Sequence, residues 1–516
     1  MRKLKQTTLS KKITSALISV FDKDGLDNII PLLDKHNIHV YSTGGTYKFL
    51  EGKIKHLTKV EDITGYPSIL GGRVKTLHPA VFGGILAMRT DDHLAEIKKF
   101  NIPELDLVVV DLYPFEKTVA SSDDEGTIIE KIDIGGISLI RAAAKNFKDV
   151  VVIPSKDQYA DLEKILSEDA AITSKEQRKK LASQAFDISS HYDTAIFNYM
   201  AKDDEDVKPL KISFKDPKVL RYGENPHQQG IYFGEMNAMF NKRTGKALSF
   251  NNLVDVDAAV QLMAEFENEK CTFAILKHTN ACGLATRPTV MEAWTDALAG
   301  DPISAFGGIL ICNSPIDLDT AKEIDKIFYE VLIAPSFDQA AYDLLSKKEK
   351  RVLMEINHYQ RQPKSIKSIL NGVIVQDTDM KVDESSNMSV VTKSSPSEAQ
   401  LTDLEFASKL AKHLKSNTIV LARNKQLLGM GCGQTSRVDA CNQAIDKAKR
   451  MGFDLTGCVM ASDAFFPFPD CVELGHNAGV AAVIQPGGSI KDKKSIEYCD
   501  NNNLPMVFTG TRHFKH

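Results

Sequence analysis

Short apolar runs alternate with helix-like patterns along the first third of the chain. Ala16–Val20 and Ile38–Tyr41 are predicted strands, and the apolar positions between them repeat as one face of a helix over 26–33. Leu107–Val110 and Val150–Ile153 are continuous apolar runs of the kind that is buried on both faces of a parallel sheet. This alternation predicts a doubly wound α/β fold with a parallel sheet.

A charged stretch separates this region from the rest of the chain. Residues 156–202 have a helical pattern, and Ser174 and Gln177 are spaced as a capping box at the start of its longer helix. The acidic residues 203–206 and then Pro209 follow this helical region. Domain boundaries fall in exposed polar linkers, so we predict the boundary there.

The chain is therefore predicted to have three segments. These are a first domain over 1–155, a helical connector and linker over 156–212, and a second domain over 213–516. The second domain mixes strands and helices, with one strand predicted over Thr418–Ala422. Residues 383–400 are rich in serine and weakly periodic, which predicts a loop.

The composition limits the classes of protein that fit. The 516 residues allow several domains, and 64 basic against 68 acidic residues give a net charge of −4, unlike a bulk nucleic-acid binder. No window approaches the roughly 20 apolar residues that span a bilayer. Residues 13–21 superficially resemble a signal peptide, but no small-residue cleavage site follows and a buried strand is favoured. The eight cysteines begin at Cys271 and form no Cys-x-x-Cys pair, which indicates reduced thiols in a cytosolic protein.

Two glycine-bearing segments of the first domain suit an anionic ligand. Ser42–Thr46 lies where a strand meets a helix, and its glycines and hydroxyls fit a phosphate-binding turn or an ordinary helix cap about equally well. Gly71–Pro79 carries Arg73, Lys75 and Thr76. Arginine suits bidentate contacts with phosphate, although by composition alone a solvated basic loop is the favoured interpretation.

Two further clusters follow predicted elements of the first domain. Tyr113, in the segment Asp111–Phe115, is expected at the carboxyl edge of a strand, where open α/β sheets bind ligands. Asp133 precedes a Gly-Gly pair, and Lys145 ends an Arg-Ala-Ala-Ala-Lys run. Taken singly, such an aspartate is more often a helix cap and such a lysine is more often a surface charge.

As a set, these motifs resemble the inosine monophosphate (IMP) cyclohydrolase domain of the bifunctional purine-biosynthesis family. The motifs in order are Ser-Thr-Gly-Gly-Thr, Gly-Gly-Arg-Val-Lys-Thr-Leu-His-Pro, Leu-Tyr-Pro-Phe and Ile-Asp-Ile-Gly-Gly with Arg-Ala-Ala-Ala-Lys-Asn. The resemblance implies a methylglyoxal-synthase-like fold for residues 1–155. It implies catalytic roles for Lys75, Tyr113, Asp133 and Lys145. The implied substrate contacts are Asp22, Lys23, Thr43, Gly44, Gly45, Thr46, Arg73, Val74, Thr76, Asp111 and Ile134.

One of these positions departs from the family pattern. Asp111 stands where the family commonly has asparagine. An ionised carboxylate only accepts hydrogen bonds, whereas an asparagine amide also donates them. A side-chain contact from Asp111 to the base of the substrate is therefore in question.

The second domain places polar side chains at the ends of apolar runs. Lys277 and His278 end the run 274–278, and adjacent side chains of a strand point to opposite faces. Both therefore reach one substrate only if the strand ends or kinks there, which Asn280 and Gly283 permit. Without such a kink, the pair is interpreted as an edge lysine and a surface histidine.

Other segments of this domain are compact and polar or aromatic. Arg221–Gln228 predicts a turn, and Gly429–Arg437 places Gln434 where a dinucleotide-binding fingerprint needs glycine. Ser462–Asp470 is an aromatic loop that either plugs the core or stacks on a planar heterocycle. The basic residues 511–516 are expected to form a solvated tail.

Together these segments resemble the aminoimidazole carboxamide ribonucleotide (AICAR) transformylase domain of the same family, so the resemblance spans about Ala16 to His516. It implies a cytidine-deaminase-like α/β fold, although no zinc-ligand signature is present. The implied catalytic pair is Lys277, a proton donor if it is desolvated, and His278, a base or orienting group. The implied nucleotide contacts are Arg221, Tyr222, Gly307, Glu330, Asn424, Arg437, Phe465 and Arg512. The implied folate contacts are Asp470, Ser489 and Ile490.

The resemblance implies a two-step enzyme. It would transfer a formyl group from the co-substrate 10-formyltetrahydrofolate to the 5-amino group of AICAR, and then cyclise the product, FAICAR, to IMP with loss of water. It implies no metal or redox cofactor, and a cytoplasmic homodimer with a shared transformylase site and no nucleic-acid or membrane partner. An alternative is a first domain that only senses a ligand, because the same fold occurs as a regulatory module of carbamoyl phosphate synthetase. Lys75, Tyr113, Asp133 and Lys145 together argue against that alternative.

Overall fold

The computed structural model describes residues 10–204, 206, 208–359 and 361–516. The chain divides into two compact units, of which the first ends at Phe214 and the second begins at Lys215. In the described part of the chain, no helix is both long enough and apolar enough to cross a membrane.

The first unit is built around a parallel sheet. Within the described residues this sheet has five strands, in the spatial order Leu57–Lys59, His39–Ser42, Ser15–Val20, Leu107–Asp111 and Val151–Ile153. A small antiparallel pair, Lys11–Lys12 with Ile172–Thr173, lies apart from it. The predicted strands and their parallel arrangement are confirmed, and the strand order reverses beside Ser15–Val20. Such a reversal leaves a crevice at the carboxyl ends of the strands.

Helices of the first unit connect these strands. They are Leu26–Lys35, Gly44–Leu50, Val60–Thr64, Pro79–Leu86, Asp91–Lys99, Phe115–Ser121, Glu125–Ile129, Gly135–Lys145, Tyr159–Ser167 and Lys175–Met200, with 3-10 turns at Leu70–Gly72 and Lys156–Gln158. The first helix buries the predicted apolar face. The predicted capping box is also confirmed, because Gln177 N donates to Ser174 Oγ at 3.1 Å and Ser174 N donates to Gln177 Oε1 at 2.7 Å.

The helix Lys175–Met200 packs within the first unit. Its buried Arg178 donates to the carbonyl oxygens of Phe147 at 2.9 Å, Lys148 at 2.8 Å and Thr173 at 2.7 Å. These contacts join the predicted connector to the domain that precedes it. The segment limits at residues 155 and 212 stay a prediction.

A long mixed sheet forms the second unit. Among the residues that the structure describes it has twelve strands, in the spatial order Phe240–Thr244, Val352–Ile356, Val331–Ala334, Ile309–Cys312, Cys271–Lys277, Asn280–Arg287, Gln426–Gly431, Ile419–Arg423, Cys458–Ser462, Val480–Gln485, Met506–Phe508 and Ser389–Val390. Two separate hairpins are Pro217–Val219 with Ile231–Phe233 and Lys364–Ile369 with Gly372–Asp377. The predicted mixture of strands and helices is confirmed.

Helices cover this sheet. They are Met236–Met239, Phe250–Met263, Val290–Gly300, Leu318–Ile324, Gln339–Leu345, Glu398–Lys412, Arg437–Arg450, Asp470–Ala478 and Asp492–Asn501, with 3-10 turns at Ala264–Phe266 and Ser385–Asn387. The loop predicted over 383–400 is partly wrong, because it contains the strand Ser389–Val390 and the start of the helix at Glu398. Ser397 caps that helix in a capping box with Gln400, so this serine marks the start of a helix and not a loop.

Candidate active sites

The crevice of the first unit has an acidic pair at its base. Asp22 follows one central strand and Asp111 ends its neighbour. Asp111 Oδ2 accepts the backbone N–H of Asp22 at 3.0 Å, and the Lys156 ammonium contacts the Asp22 carboxylate. Burial raises the pKa of Asp111. The Asp111 carboxylate, at the position where the family commonly has asparagine, thus accepts a hydrogen bond from the backbone that follows the strand Ser15–Val20.

The glycine turn Ser42–Thr46 lies beside two lysines. A Cβ atom on Gly44, which has φ of 55°, would lie 3.3 Å from Lys75 Nζ, and one on Gly45 would lie 3.9 Å from Lys23 Nζ. Thr46 Oγ1 is buried and bonded to Val20, with 3.1 Å to N and 2.9 Å to O. Its hydroxyl holds the turn on the strand, while the two ammonium groups give the turn its positive charge.

The segment Gly71–Pro79 packs against the same turn. Gly72 has φ of 96°, and a Cβ there would lie 2.8 Å from Lys75 Cε, so glycine makes room for this lysine. The hydroxyl of buried Thr76 would lie 3.2 Å from a Cβ on Gly135. Arg73 is largely exposed and pairs with Glu130. The predicted basic segment therefore contributes Lys75 and Thr76 to the crevice and Arg73 to its rim.

Tyr113 and Asp133 contact each other beyond the end of the strand Leu107–Asp111. The Asp133 carboxylate accepts the backbone N–H of Gly136 at 2.6 Å and that of Tyr113. Burial raises the pKa of Asp133, and the nearby Asp111 charge adds to this effect. The Tyr113 ring is 38% exposed and packs edge-on against Phe21 at 5.3 Å. The tyrosine hydroxyl is thus accessible from the crevice that Asp133 borders.

Lys145 lies away from this cluster. It is exposed in the last turn of the helix Gly135–Lys145, whereas Asp133 precedes the first turn. Eleven residues of helix span about 15 Å, which is beyond the reach of a lysine side chain. Ile134 is also exposed, at the start of this helix. The catalytic assignment of Lys145 stays a prediction that the intramolecular contacts do not support.

Tyr192, which the sequence analysis missed, holds Asp133. Its hydroxyl accepts the Asp133 backbone N–H at 2.9 Å and donates to the Lys131 carbonyl oxygen at 2.6 Å. It comes from the helix Lys175–Met200, 59 residues away in sequence. The aromatic residues on this helix were the available signal, but nothing local to Asp133 indicates a partner at that distance.

We expect Tyr192→Phe to lower FAICAR cyclisation about tenfold. The substitution leaves the Asp133 N–H and the Lys131 carbonyl without their partner, a defect that costs about 1–3 kcal/mol of stability. Steady-state cyclisation of supplied FAICAR and urea unfolding would measure both effects. Tyr199→Phe is the matched control, because Tyr199 packs on the same Phe115 ring. Equal rates for the two variants would contradict the positioning role of Tyr192.

The second unit presents Lys277 and His278 at a tight hairpin turn. His278 and Thr279 have φ of 50° and 64° and connect Cys271–Lys277 to Asn280–Arg287. Positive φ at both central residues is the mark of a type I′ turn, usually made by Asn-Gly. The strand ends here as expected, and the register shifts between the pairs Ile275–Gly283 and Leu276–Ala281, so the strand is irregular beside Gly283. A Cβ on Gly283 would lie 1.9 Å from the Ala297 carbonyl oxygen, so this glycine also makes room for the helix Val290–Gly300.

Asp255 supports this strained turn. Its Oδ1 accepts the Thr279 backbone N–H at 2.7 Å. Burial raises the pKa of Asp255, although that hydrogen bond and the charges of His278 and Lys277 oppose the increase. A β-branched residue at positive φ is unfavourable, so the carboxylate stabilises a conformation that Thr279 would otherwise leave.

We expect Asp255→Ala to lower the formyl-transfer kcat by about ten- to a hundredfold, because the His278–Thr279 turn loses its anchor. Asp255→Asn should restore most of the rate, since the amide oxygen still accepts the Thr279 N–H. Asp257→Ala, on the same helix, is the control. A kcat for Asp255→Ala equal to that of Asp257→Ala would show that the turn needs no anchor.

Gly307 and Glu330 line the same edge as Lys277. The Lys277 ammonium contacts the Phe306 carbonyl oxygen, and a Cβ on Gly307, with φ of 72°, would lie 3.3 Å from Lys277 Nζ. Glu330 N donates to the Gly308 carbonyl at 3.0 Å, and its carboxylate pairs with Lys246 at 2.5 Å. The predicted Gly307 and Glu330 are therefore brought to Lys277.

Arg221 and Tyr222 are joined to each other. The Arg221 guanidinium lies 4.6 Å from the centre of the Tyr222 ring and donates to its hydroxyl at 2.5 Å. Their backbones bond to Leu248 and Phe250, at the start of the helix that carries Asp255. The pair thus forms a cationic and aromatic surface attached to that helix.

The predicted contact Arg437 lies in a second group of polar side chains. This buried guanidinium donates to Ser462 Oγ at 3.0 Å, to Asp463 Oδ1 at 2.5 Å and to Asn417 Oδ1 at 2.8 Å. Cys432 Sγ lies 3.4 Å from Asn280 Oδ1. The strand registers also place Lys277, Gly431 and Ser462 at one edge of the sheet. The group around Lys277 and the group around Arg437 therefore lie at the same edge of the sheet.

Asn424 lies at the opposite edge of this sheet. It turns the hairpin between Ile419–Arg423 and Gln426–Gly431, and its carbonyl oxygen accepts from Arg287 at 2.6 Å. Arg287 is at the far end of the strand that begins beside His278. The geometry does not support Asn424 as a nucleotide contact. Asn417 is the asparagine beside Arg437, and its place just before a buried strand was the signal that the sequence analysis missed.

The predicted nucleotide contact Phe465 and the predicted folate contacts Asp470, Ser489 and Ile490 follow two neighbouring strands of the sheet, Cys458–Ser462 and Val480–Gln485. Phe465 is 38% exposed while Phe466 is fully buried, so the aromatic loop both plugs the core and presents a ring. Phe466 N donates to Gln485 Oε1 at 2.9 Å, which connects this loop to the turn that carries Ser489. Ser489 N donates to Asp492 Oδ2 at 2.9 Å. The neighbouring Ile490 is fully exposed, and Asp470 begins the helix Asp470–Ala478.

Arg512 is exposed, and the residue that follows it contacts the aromatic loop Ser462–Asp470. Its guanidinium stacks 4.5 Å from the Phe514 ring, and the following His513 N donates to the Asp463 carbonyl oxygen at 3.0 Å. The expectation of a solvated tail is wrong, because His513 is 95% buried. Over the described residues, groups of His, Cys, Asp or Glu spaced to hold a metal ion are absent.

Comparisons with known proteins agree over the whole chain. A family model described as "AICARFT/IMPCHase bienzyme" matches residues 143–447, and one described as "MGS-like domain" matches residues 25–138. "Bifunctional purine biosynthesis protein PurH" of Bacteroides thetaiotaomicron is 55% identical over 508 residues, with 98% of this chain and 99% of the relative covered. Proteins of that name from Pelodictyon phaeoclathratiforme and Acetivibrio thermocellus are 43% and 42% identical, with 98% of this chain and 99% and 100% of those relatives covered.

A solved structure titled "Crystal structure of ForH" is 35% identical in sequence, covers 36% of this chain and 99% of its own, and has a TM-score of 0.32. The full-length relatives and the two family models carry the assignment. The chain belongs to the AICARFT/IMPCHase bienzyme family, and is a bifunctional purine biosynthesis enzyme with AICAR formyltransferase and IMP cyclohydrolase activities and an MGS-like first domain.

Proposed function

We propose that the two activities reside at the two sheet edges described above. The edge with Lys277 and His278 transfers the formyl group of 10-formyltetrahydrofolate to AICAR. The crevice with Lys75, Tyr113 and Asp133 cyclises the resulting FAICAR. The observation that carries the first assignment is the turn at His278 and Thr279, which brings the lysine and the imidazole to the edge that Arg437 shares.

Formyl transfer needs a proton to move at each end of the new bond. The AICAR amine attacks the formyl carbon and loses a proton, and the bond from that carbon to folate N10 then breaks as N10 takes up a proton. His278 is proposed to orient the amine or accept its proton, and Lys277 to donate a proton to the leaving nitrogen. The exposed Phe465 ring is a surface for a planar heterocycle.

Cyclisation removes one water. The carboxamide nitrogen attacks the formyl carbon, and the formyl oxygen takes up two protons, one from each nitrogen, and leaves as water. The Lys75 ammonium and the Tyr113 hydroxyl are proposed to stabilise the oxygen as it gains negative charge, and Asp133 to orient the attacking amide. The half-buried Asp133 accepts the backbone N–H of the partly exposed Tyr113, and Lys75 stands beside the glycine turn.

The proposal includes no metal or redox cofactor. The test mixes the EDTA-dialysed chain with AICAR and 10-formyltetrahydrofolate and follows IMP and tetrahydrofolate. Equimolar formation of both is expected. Formation of neither, with or without added divalent metal, would overturn the proposal, and formation only after metal is restored would overturn its cofactor part. A cytoplasmic location is also proposed, because the eight cysteines, all within the described part of the chain, are free thiols.

The proposal also includes a homodimer. The hairpin of Lys364–Ile369 and Gly372–Asp377 is exposed at every position, with Leu370 98% exposed, and its apolar residues lie on both faces. Isolated two-stranded hairpins are only marginally stable in water, so a second copy of the chain is the proposed cover. Light scattering should give twice the chain mass, and Ile374→Lys should shift it towards a monomer that loses formyl transfer and retains cyclisation. A fully active wild-type monomer would contradict the dimer.

A further inference from the structure

The last residues of the chain include a buried histidine that the reaction itself does not use. His513 lies between two carboxylates of the segment that precedes the helix Glu398–Lys412. Its Nδ1 is 2.6 Å from Asp379 Oδ2 and its Nε2 is 3.2 Å from Asp383 Oδ2. Only the imidazolium, with a proton on each ring nitrogen, donates to both carboxylates at once. The contacts therefore describe a charged clamp on the end of the chain.

This clamp is connected to the proposed nucleotide contacts. Arg512 directly precedes His513, and the His513 backbone N–H donates to the Asp463 carbonyl oxygen. The Asp463 carboxylate accepts from the Arg437 guanidinium at 2.5 Å. His513 is thus connected to two arginines. Arg512 is its neighbour in sequence, and Arg437 is held by Asp463, to which the His513 backbone bonds.

The charges around the imidazole favour its protonated form. Burial alone would lower the pKa of His513, but the hydrogen bonds and charges of Asp379 and Asp383 outweigh it and raise the pKa to about 9. The helix packed against this segment contributes Ser408 Oγ, which donates to Asp383 at 2.7 Å, and Lys412, which lies 4.0 Å from Asp379. The tail also carries the cations Arg512 and Lys515, and the Lys515 backbone bonds to Ser416.

We propose that His513 is a positioning residue of the formyltransferase, whose imidazolium fixes the final segment on Asp379 and Asp383 so that Arg512 faces the nucleotide beside Arg437. The inference rests on the proposed nucleotide-binding role of these two arginines. Residues 511–516 lie in no helix or strand, so side-chain contacts are what can hold this segment in place. The clamp ties this one by a charged side chain, and it does so next to the residue that must be held.

The expected signature is a change in KM rather than in kcat. Arg512 would contact a part of AICAR that does not react, so its displacement weakens ground state and transition state alike. His513→Gln and Asp379→Asn are each expected to raise the KM for AICAR about tenfold at pH 7, with kcat within about twofold. Cyclisation of supplied FAICAR should be unchanged.

The pH profile separates the charged clamp from simple packing. The folded pKa of His513 is raised above the ordinary value, so the clamp is fully present below pH 6.5 and is lost as pH rises through about 9. The ratio of the KM of His513→Gln to that of the wild type should therefore fall from about ten towards one across this range. A role in packing alone would leave the ratio constant.

Two further variants keep the outcomes distinct. His516→Gln, in the same tail and exposed, is the control and should behave as the wild type. Arg512→Ala tests the underlying assignment, and an unchanged KM for AICAR in that variant would overturn the proposed nucleotide site. A second outcome separates the two proposals. Arg512→Ala would raise the KM for AICAR, while His513→Gln and Asp379→Asn would have the same KM as His516→Gln. In that case the nucleotide site stands and the positioning inference is overturned. A KM ratio that stays constant up to pH 10 would also overturn it.

Discussion

Replacing Lys277 with methionine is expected to lower formyl transfer by about 10²–10⁴-fold while FAICAR supplied to the same variant is cyclised at the wild-type rate. Methionine preserves the length and the apolar part of the side chain but removes the ammonium group. The function lost would be the proposed proton donation to the departing folate nitrogen, and general acid catalysis contributes a factor of this size. The measurement is tetrahydrofolate release with AICAR, run beside FAICAR cyclisation.

The control for this variant lies on the same strand. Lys270 directly precedes Cys271–Lys277 and is exposed at the other end of it, so Lys270→Met removes one positive charge without touching the edge that holds His278. It should leave both activities unchanged. Formyl transfer by Lys277→Met within tenfold of the Lys270→Met rate would refute the proton-donor role. An equal loss of both activities would indicate misfolding instead.

The elements of the first unit were predictable because their signals are local. The strands Ser15–Val20 and Leu107–Asp111 are almost entirely buried, and eight of their eleven residues are apolar. A sheet covered on both faces leaves this continuous pattern in the sequence. The helix after the first strand repeats its buried residues every three or four positions for the same reason.

The partners of the functional residues were less predictable because they are distant in sequence. Tyr192 lies 59 residues from Asp133, and His513 lies 134 residues from Asp379. By composition alone, His513 belongs to a basic tail. The two carboxylates that contact it, those of Asp379 and Asp383, lie in a polar segment with no periodic pattern, so nothing in the sequence indicates this contact. Only the tertiary fold brings such charges together.

The geometry does not support the assignment of Asn424, and the physical reason is different. Asn417 and Asn424 lie seven positions apart at the two ends of one buried strand, Ile419–Arg423. A motif resemblance selects an asparagine near a strand end, but the two ends open onto opposite edges of the sheet. The hydrogen bond from Arg437 to Asn417 decides between them, and that contact depends on the pairing of strands that the sequence alone does not reveal.

Asp133→Asn is expected to lower FAICAR cyclisation by at least about a hundredfold without lowering the stability of the fold. The asparagine amide still accepts the Gly136 N–H, so the loop keeps its cap, but it lacks the negative charge that is proposed to orient the attacking carboxamide. Formyl transfer should be unaffected, so FAICAR should accumulate when the variant is given AICAR and 10-formyltetrahydrofolate. Chromatographic separation of FAICAR from IMP measures this directly.

The stability of this variant gives an independent check on the charge of Asp133. Burial raises its folded pKa above the ordinary value, so the folded state binds the proton more tightly than the unfolded state does. The ionised form therefore destabilises the fold at pH 7, and this cost is relieved as pH falls through the folded pKa. Asp133→Asn removes that cost, and its Tm at pH 7 should equal or exceed that of the wild type, with the difference shrinking towards pH 4.

Asp124→Asn is the matched control, because Asp124 caps the nearby helix Glu125–Ile129 and asparagine is an equally good cap. It should retain both activities and the wild-type Tm. If Asp133→Asn cyclises FAICAR slowly and has a clearly lower Tm, the carboxylate serves the fold. If it cyclises slowly and its Tm equals that of the wild type, the carboxylate serves the reaction. Charge that costs stability is retained where chemistry needs it, and Asp133 meets both halves of that test if Asp133→Asn loses activity while its Tm equals or exceeds that of the wild type.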